Sequence, residues 1–226
     1  MTLRICVSIL PKNIPEALTL IKNAEEAKAD LIEVRLDLLE TTSNLKELAE
    51  STRIPLIATD KLESEKGFLS KTETKRKQRL LNAAESGFGY VDIDLSSSNR
   101  QEFDKLKQMG AKPIVSCHKF QGPLSRSEME RVLEQEIASG ANICKIVIKA
   151  EKIEDNLAVL NFVASHSAET KLVCFCMGEA GKVSRLLSPM FGAFFTFASL
   201  KQGSETASGQ MTIQEMRAFY DLVGAK

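Results

Sequence analysis

The 226-residue sequence lacks three features that mark common classes of protein. It has no excess of charge, because 30 lysines and arginines balance 30 aspartates and glutamates, which argues against disorder and against nucleic acid as a partner. It has no apolar stretch close to the roughly 20 residues of a membrane span. Its first residues, MTLRICVSILPKN, include neither a basic leader nor a small-residue cleavage site. We therefore expect a globular protein of the cytoplasm that is not bound to a membrane.

A disulfide framework and a metal centre are also missing. The cysteines are odd in number and all lie inside apolar runs, at Cys6, Cys117, Cys144, Cys174 and Cys176. This placement is typical of reduced, buried thiols. Cys174 and Cys176, the one close pair, have a single residue between them and no histidine nearby in the sequence. Such spacing does not fit zinc-binding patterns, so we expect no bound metal.

The sequence contains instead one unit repeated along the chain: a short apolar run, a turn and an amphipathic stretch. The runs predicted as strands are residues 4–10, 31–37, 55–60, 90–95, 112–118, 143–150, 171–177 and 194–199. Ile14, Leu18 and Ile21 have helical spacing, and Ser127 with Glu130 has the spacing of a capping box that would begin the fifth helix. Eight such units are the arrangement of an α/β protein with a (β/α)8, or TIM, barrel.

No linker rich in proline, glycine or serine divides the chain, so we expect a single domain over residues 1–226. A doubly wound open sheet is the alternative architecture. Two segments are predicted as loops on the C-terminal rim: residues 61–73, which are dense in charge, and residues 200–210, which are rich in glycine, serine and threonine. We expect the second loop to be a mobile cover that becomes ordered when a ligand binds.

Several predicted strands carry polar side chains where strands covered by helices are normally apolar. Glu33, Arg35 and Asp37 share one face of the second strand, because side chains alternate with a period of two. Asp92 and Asp94 likewise share a face of the fourth strand. Burying such groups is costly unless they are paired, hydrogen-bonded or used. These faces should therefore point into the barrel, as an internal network of ion pairs or as a functional site.

Lys145 and His118 are the strongest candidates for chemistry. Lys145 lies among apolar residues of the sixth strand, so we expect a lowered pKa and a nucleophilic amine, with Lys149 adding repulsion from the same face. The alternative is an ion pair with an interior carboxylate such as Asp94. His118 ends the fifth strand, at the rim where barrel enzymes carry catalytic groups. The other histidine, His166, is interpreted as solvent-exposed surface.

Five motifs follow one another along nearly the whole chain. They are Glu33-Val34-Arg35-Leu36-Asp37, Ser116-Cys117-His118, Lys145-Ile146, Met177-Gly178-Glu179-Ala180-Gly181-Lys182-Val183-Ser184-Arg185 and Ala207-Ser208-Gly209-Gln210. Together they resemble type I 3-dehydroquinate dehydratase. The resemblance implies a (β/α)8 barrel that converts 3-dehydroquinate to 3-dehydroshikimate and water. This is a carbon–oxygen lyase reaction of the shikimate pathway, which supplies aromatic amino acids. The resemblance further implies a homodimer, as in many members, and no metal or organic cofactor.

The resemblance also implies roles for individual residues. Lys145 would form an imine, or Schiff base, with the C3 ketone of the substrate. His118 would act as general base at C2 and then as general acid on the departing C1 hydroxyl. Glu65 matches the carboxylate that orients the histidine, and Arg185 matches the cation that holds the substrate carboxylate. The full set matching substrate-binding positions is Ser8, Glu33, Arg35, Lys61, Arg185, Thr206 and Gln210.

Some positions depart from the family's pattern, and two other functions remain as alternatives. Lys61 stands at a usual arginine, Lys66 in a usual Gly-Gly pair, Thr206 at a usual serine and Ser208 at a usual proline. A class I aldolase also uses a barrel lysine as an imine, but many aldolases need a phosphate cradle, which the eighth strand lacks. A non-catalytic barrel that binds a small carboxylic acid would need Arg185 but no nucleophilic amine.

Overall fold

The computed structural model describes residues 3–61, 67 and 72–225, and within them strands alternate with helices along the chain. The strands are β1 (Ile5–Ile9), β2 (Leu31–Arg35), β3 (Leu56–Thr59), β4 (Tyr90–Asp94), β5 (Lys112–Lys119), β6 (Ile143–Lys149), β7 (Leu172–Met177) and β8 (Thr196–Ser199). The α-helices are α1 (Ile14–Glu26), α2 (Leu45–Glu50), α3 (Glu73–Glu85), α4 (Arg100–Gln108), α5 (Arg126–Ser139), α6 (Asp155–His166), α7 (Lys182–Leu187) and α8 (Ile213–Leu222).

All the described strands form one parallel sheet in the order β7-β6-β5-β4-β3-β2-β1-β8, so β1 pairs with both β2 and β8. The sheet curls until its two edges meet. There, the amide of Phe194 donates to the carbonyl of Leu172 at 2.7 Å, and the rings of Phe175 and Phe197 lie 6.0 Å apart. This nearly closed barrel confirms the predicted (β/α)8 architecture over the open-sheet alternative.

Alternation along the strands separates an outer core from an inner one. Outward side chains such as Ile32, Val34 and Leu36 pack beneath the helices in the outer core. Inward side chains near the strand starts, such as Leu31 and Ile114, form an apolar cluster inside the barrel. Further along the same strands the inward positions become polar. The apolar cluster therefore supports a polar site at the carboxyl ends of the strands.

Two local predictions needed correction. The capping box of α5 is formed by Ser125 and Glu128, not by Ser127 and Glu130: the Ser125 amide donates to the Glu128 carboxylate at 2.8 Å, and the Ser125 side chain accepts from the Glu128 amide. Two overlapping pairs at the same spacing made the helix start ambiguous. β2 ends at Arg35, because residues 36–38 turn into a short 3-10 helix closed by the Leu39 amide on the Leu36 carbonyl.

The two predicted loops differ in how much of each the structure describes. Residues 200–210 contain turns and bends but no helix or strand, as predicted. Most of the predicted loop at 61–73 lies outside the described residues, and α3 begins at Glu73. In the described part of the chain, no helix combines the length and the apolar character that crossing a membrane requires.

Candidate active site

A cavity of about 210 Å³ lies at the carboxyl ends of the strands. Its apolar walls include the rings of Phe120, Phe175 and Phe197. Its charged and titratable lining residues are Glu33, Arg35, Lys61, His118, Lys145 and Arg185. These side chains come from four elements and from the segment after β3, so the barrel brings together residues that are far apart in the sequence.

Lys145 projects from β6 into the cavity and is only 4% exposed. Its Nζ lies 2.7 Å from Asp92 Oδ2 and 3.9 Å from Glu33 Oε1, and it stands 4.4 Å above the centre of the Phe197 ring. Burial acts to lower the pKa of Lys145, but the carboxylates of Asp92 and Glu33 outweigh it and raise the pKa. The prediction of a lowered pKa is therefore wrong for the protein without substrate.

The neighbours assigned to Lys145 from the sequence also needed correction. Asp94 is not its partner, because the Asp94 carboxylate accepts from the amide and hydroxyl of Ser96, at 2.9 and 2.6 Å. Lys149 is exposed at the end of β6 and does not share the buried environment of Lys145. Asp92 lies two residues before Asp94 on β4, and its carboxylate pairs with the Lys145 amine.

Asp92 is fully buried and binds two lysines at once. Lys61 Nζ lies 3.0 Å from Asp92 Oδ1 and 3.1 Å from Ser116 Oγ, and Ser116 Oγ donates to the same Oδ1 at 2.7 Å. Burial would raise the pKa of Asp92, but the ammonium groups of Lys145 and Lys61 outweigh it and hold the pKa well below its usual value. The carboxylate is thus ionised and shared between two amines.

His118 extends from β5 with its Nε2 sealed from solvent and without a hydrogen-bond partner among the described residues. Burial, followed by the charges of Lys61 and Lys145, lowers the pKa of His118 well below its usual value. The imidazole is therefore neutral at pH 7 and free to accept a proton. His166 is not the exposed residue expected: it is half-buried, with Nδ1 2.9 Å from the Phe162 carbonyl oxygen.

Glu33 and Arg35 line the same wall of the cavity. Glu33 Oε1 accepts from the Thr59 hydroxyl at 2.8 Å, and its Oε2 accepts from the Ser8 hydroxyl. Arg35 forms a bidentate ion pair with Asp37, with both N···O distances at 2.8 Å. Ser8 does not line the cavity. Its hydroxyl supports Glu33 from behind, so the structure does not bring Ser8 to the position of a direct ligand contact.

Arg185 projects from α7 into the cavity and is 2% exposed. Its guanidinium stacks 4.3 Å above the centre of the Phe175 ring, and its Nε has no hydrogen-bond partner among the described residues. Burial lowers the pKa of Arg185 to about 10. Burying a cation costs free energy unless an anion pairs with it. Arg185 therefore marks where the negative charge of a ligand would bind.

The loop between β8 and α8 forms one side of the cavity. Gln210 Oε1 accepts from the Thr206 amide at 2.7 Å, and Gln210 Nε2 donates to the Thr206 hydroxyl at 3.0 Å. The Gly178 amide donates to the Ser208 carbonyl at 3.1 Å, which ties this loop to the turn after β7. Thr206 and Gln210 both line the cavity, but their side chains are hydrogen-bonded to each other.

The structure brings most of the residues singled out in the sequence to one place. Those that line the cavity are Glu33, Arg35, Lys61, His118, Lys145, Arg185, Thr206 and Gln210. Glu65 lies outside the described residues. Sequence reasoning missed the pairing of Asp92 with Lys145 and the rings of Phe175 and Phe197. Alternation along β4 predicted that the Asp92 side chain points into the barrel. It did not predict the strand register that places Asp92 beside Lys145.

The described residues contain no group of three or more histidine, cysteine, aspartate or glutamate side chains that could hold a metal ion. All five cysteines are free, four of them buried and Cys117 half-buried. The titratable groups that line the cavity are the amines of Lys61 and Lys145, the imidazole of His118, the carboxylate of Glu33 and the guanidinium groups of the two arginines.

The fold and the cavity define the class: a (β/α)8-barrel enzyme with its site at the carboxyl ends of the strands. A family model described as Type I 3-dehydroquinase matches residues 5–226. The chain therefore belongs to the type I 3-dehydroquinase family.

Similar proteins agree with this assignment. A 3-dehydroquinate dehydratase of Dehalococcoides mccartyi is 36% identical over 207 residues, covering 92% of this chain and 90% of that protein. One of Methanothermobacter thermautotrophicus is 34% identical over 219 residues, covering 96% of each chain.

Solved structures give the same fold. The crystal structure of the 3-dehydroquinate dehydratase from Aquifex aeolicus superposes with a TM-score of 0.80 at 27% identity, covering 97% of this chain and 98% of that one. The enzyme from Geobacillus kaustophilus superposes with a TM-score of 0.91 at 22% identity, covering 99% and 92%, and supports the fold alone.

Proposed function

We propose that this chain carries out the reaction of its family, the dehydration of 3-dehydroquinate to 3-dehydroshikimate, through an imine on Lys145. The observation that carries the proposal is one cavity holding a buried amine, a neutral imidazole and a guanidinium whose Nε has no partner among the described residues. The substrate offers a ketone, a carbon-bound proton with a nearby hydroxyl leaving group, and a carboxylate. Each feature of the substrate has a counterpart in the cavity.

The first step joins Lys145 Nζ to C3 of the substrate. The ammonium must first release a proton, and Asp92 Oδ2 at 2.7 Å is the nearest acceptor. The neutral amine then attacks the ketone, the C–O π bond breaks, and Asp92 returns its proton to the departing hydroxyl, so that loss of water leaves a protonated imine. A protonated imine withdraws electrons more strongly than a ketone, so it stabilises the carbanion that forms when C2 loses its proton.

His118 then moves the proton. Its lowered pKa keeps the imidazole neutral at pH 7, as a general base requires. The imidazole takes the C2 proton to give an enamine and an imidazolium ion. The imidazolium returns the proton to the C1 hydroxyl, which leaves as water while the C1–C2 double bond forms. Hydrolysis of the imine releases the enone product and restores Lys145.

The remaining cavity residues would hold the substrate in place. Arg185 binds the carboxylate, because its buried guanidinium stacks on Phe175 and its Nε has no partner in the part of the chain that the structure describes. Glu33 and Arg35 contact the ring hydroxyls, and Ser8 acts through its hydrogen bond to Glu33. Substrate would compete for the mutual hydrogen bonds of Thr206 and Gln210. Glu65 orients His118, as the resemblance implies.

Further expectations from the sequence complete the proposal. The chain works as a single domain in the cytoplasm and as a homodimer, without a metal, an organic cofactor or a nucleic acid partner. These expectations rest on the sequence undivided by a linker, the cysteines placed in apolar runs, the balanced charge and the family resemblance. Sedimentation of the purified chain tests the dimer directly: a monomer at all concentrations would contradict it.

The reaction is tested by following the absorbance of the conjugated enone after adding 3-dehydroquinate. The unmodified chain should produce the enone, and Lys145→Ala should lower kcat by roughly 10³-fold or more. Lys149→Ala is the matched control, because Lys149 is an exposed lysine on the same strand. It should keep full activity. An active Lys145→Ala variant would refute the imine mechanism. An inactive unmodified chain would favour the alternative of a non-catalytic barrel that binds a small carboxylic acid. Cleavage of a carbon–carbon bond in a sugar phosphate would instead identify an aldolase.

A further inference from the structure

One buried carboxylate pairs with two amines of the cavity. Asp92 Oδ1 binds Lys61 Nζ at 3.0 Å, and Asp92 Oδ2 binds Lys145 Nζ at 2.7 Å. Ser116 lies on the Lys61 side, with its Oγ 2.7 Å from Oδ1 and 3.1 Å from Lys61 Nζ. The two lysines are therefore coupled through opposite oxygens of the same group.

The coupling takes place away from water. The side chain of Asp92 is fully buried, and those of Lys61 and Lys145 are 8% and 5% exposed. Charges buried to this extent are poorly screened, so each amine feels both the carboxylate and the other amine. A change at Lys61 must therefore alter the electrostatic environment of Lys145.

Resting on the function proposed above, we propose that Lys61 is a positioning residue for the reaction: by sharing Asp92 with Lys145, it weakens the hold of that carboxylate on the imine-forming amine. Two of the three N–H bonds of Lys61 are directed at Asp92 and Ser116. Lys61 thus acts mainly through Asp92 and not as the principal contact to the substrate.

The physical reason is competition between like charges. A lone ammonium facing Asp92 would stay protonated, and a protonated amine cannot attack a ketone. A second cation on the other oxygen offsets part of the negative charge and makes proton loss from Lys145 easier. The charge of Lys61 also disfavours the imidazolium form of His118. Both effects favour the neutral forms that the reaction needs.

Other charged or titratable groups around Lys61, Asp92 and Lys145 shift the proton affinities of Lys145 and His118 in opposite directions. From the surrounding elements they are Glu33 and Arg35 of β2, His118 of β5, Arg185 of α7 and the thiol of Cys6 on β1. Glu33 favours protonated Lys145, and Arg35 disfavours protonated His118. Lys61 differs from these groups because it binds the same carboxylate as Lys145.

The test compares pH profiles of kcat and KM for variants of Lys61. Lys61→Met removes the cation, so both Lys145 and His118 should hold their protons to higher pH. We expect the acid limb of kcat to move up by about one pH unit, kcat at pH 7 to fall about tenfold and KM to stay within about threefold. Lys61→Arg should restore the profile of the unmodified chain, because it keeps the charge.

Two further variants keep the test decisive. Lys61→Gln removes the charge but retains a hydrogen-bond donor, so it should shift the pH profile as Lys61→Met does. It serves in place of Lys61→Met if that variant does not fold. Ser116→Ala removes a hydrogen bond from Asp92 but no charge, and its acid limb should stay within about 0.3 pH unit of the unmodified profile.

The outcomes separate this proposal from the function on which it rests. A rise in KM with an unmoved pH profile in Lys61→Met and Lys61→Gln would overturn the positioning role and identify a direct substrate contact. Failure of Lys61→Arg to restore the profile would also overturn it. Absence of enone production by the unmodified chain would instead refute the proposed function.

Discussion

At the scale of single residues, the clearest sign of function is a buried cation without an anion. Arg185 is 2% exposed and stacks on Phe175, and its Nε has no partner among the described residues. Within residues 3–61, 67 and 72–225 no anion compensates this desolvated charge, which destabilises the free protein. The carboxylate of a substrate would compensate it.

Replacing Arg185 should therefore separate activity from stability. Arg185→Met should lower kcat/KM by about 10–100-fold, because a charge-assisted hydrogen bond contributes roughly 1.5–3 kcal/mol. The same change should raise Tm by about 2–4 °C, since an apolar side chain replaces an unpaired buried charge. Steady-state kinetics and thermal unfolding measure the two effects.

Arg217 is a suitable control for this experiment. Its guanidinium pairs with Asp30 at 2.6 Å and donates to the Lys28 carbonyl at 2.8 Å. Arg217→Met should lower Tm and leave kcat/KM unchanged. A fall in Tm for Arg185→Met similar to that for Arg217→Met would show that Arg185 is structural.

The site residues illustrate what a sequence can predict at this scale. Lys145 and His118 stood out because ionisable side chains occupied positions where burial was expected, whereas Arg185 was found only through the family resemblance. The direction of the Lys145 pKa shift could not be predicted, because it depends on Asp92 lying 2.7 Å away on a strand that is not adjacent to β6. Charge pairing across the barrel follows from strand register and side-chain conformation, which alternation alone does not specify.

At the scale of elements, the contact between the β7–α7 turn and the β8–α8 loop closes one side of the cavity. Gly209 has φ +78°, and a methyl group on its Cα would overlap the backbone carbonyl of Gly178. Gly209→Ala should therefore displace the loop that carries Thr206 and Gln210. We expect kcat/KM to fall by roughly 10–100-fold, because small misplacements of binding groups are costly in catalysis.

Gly203 provides the matched control for the loop. It has φ +80°, but a Cβ there would meet no atom within 4 Å. Both alanine variants carry the backbone strain of a left-handed residue, about 1–3 kcal/mol, whereas Gly209→Ala alone should weaken catalysis. Equal kinetic effects would contradict the contact's role. Hydrogen exchange of residues 200–210 with and without product tests the related expectation that ligand orders this loop.

Element boundaries were predicted less well than the elements themselves. Ser125-Arg126-Ser127-Glu128-Met129-Glu130 contains two pairs with capping-box spacing, and only the backbone conformation selects Ser125 with Glu128. At β2 the apolar-polar alternation continues through Asp37, although the strand stops at Arg35. The ion pair of Arg35 with Asp37 is formed across that turn. Periodicity therefore continued past the point where the backbone changes direction.

At the scale of the whole molecule, one buried carboxyl group outside the cavity should govern how stability depends on pH. Glu136 on α5 is fully buried, and no ion pair to it is found among the described residues. Burial raises its pKa from 4.5 to about 10. Above pH 4.5 the unfolded chain releases this proton while the folded chain keeps it, so the free energy of unfolding falls as pH rises towards 10.

Glu136→Gln removes this titration and should stabilise the protein increasingly with pH. Near pH 4.5 the variant and the unmodified chain should unfold with similar free energies, and at pH 7 the variant should be more stable by about 2–3 kcal/mol. Urea unfolding at several pH values measures the difference. Glu134→Gln, at an exposed position of the same helix, should change little at any pH. A pH-independent gain in Glu136→Gln would contradict the raised pKa.

The barrel as a whole was predictable because its evidence is spread over the entire chain. Eight apolar runs separated by amphipathic stretches indicate a barrel even when single boundaries are wrong by a few residues. The closure between β7 and β8 was not predictable, since it depends on a few contacts such as the Phe194 amide on the Leu172 carbonyl. Those contacts form only when the curled sheet brings its edges together.

The central claim is that Lys145 is the amine that bonds to the substrate. The most direct test is to incubate the unmodified chain with 3-dehydroquinate and sodium borohydride, and then map the reduced adduct by mass spectrometry. We expect one adduct, on Lys145, and the same adduct in His118→Ala despite its slower turnover. An adduct on Lys61, or enone production with no trapped lysine, would contradict the account.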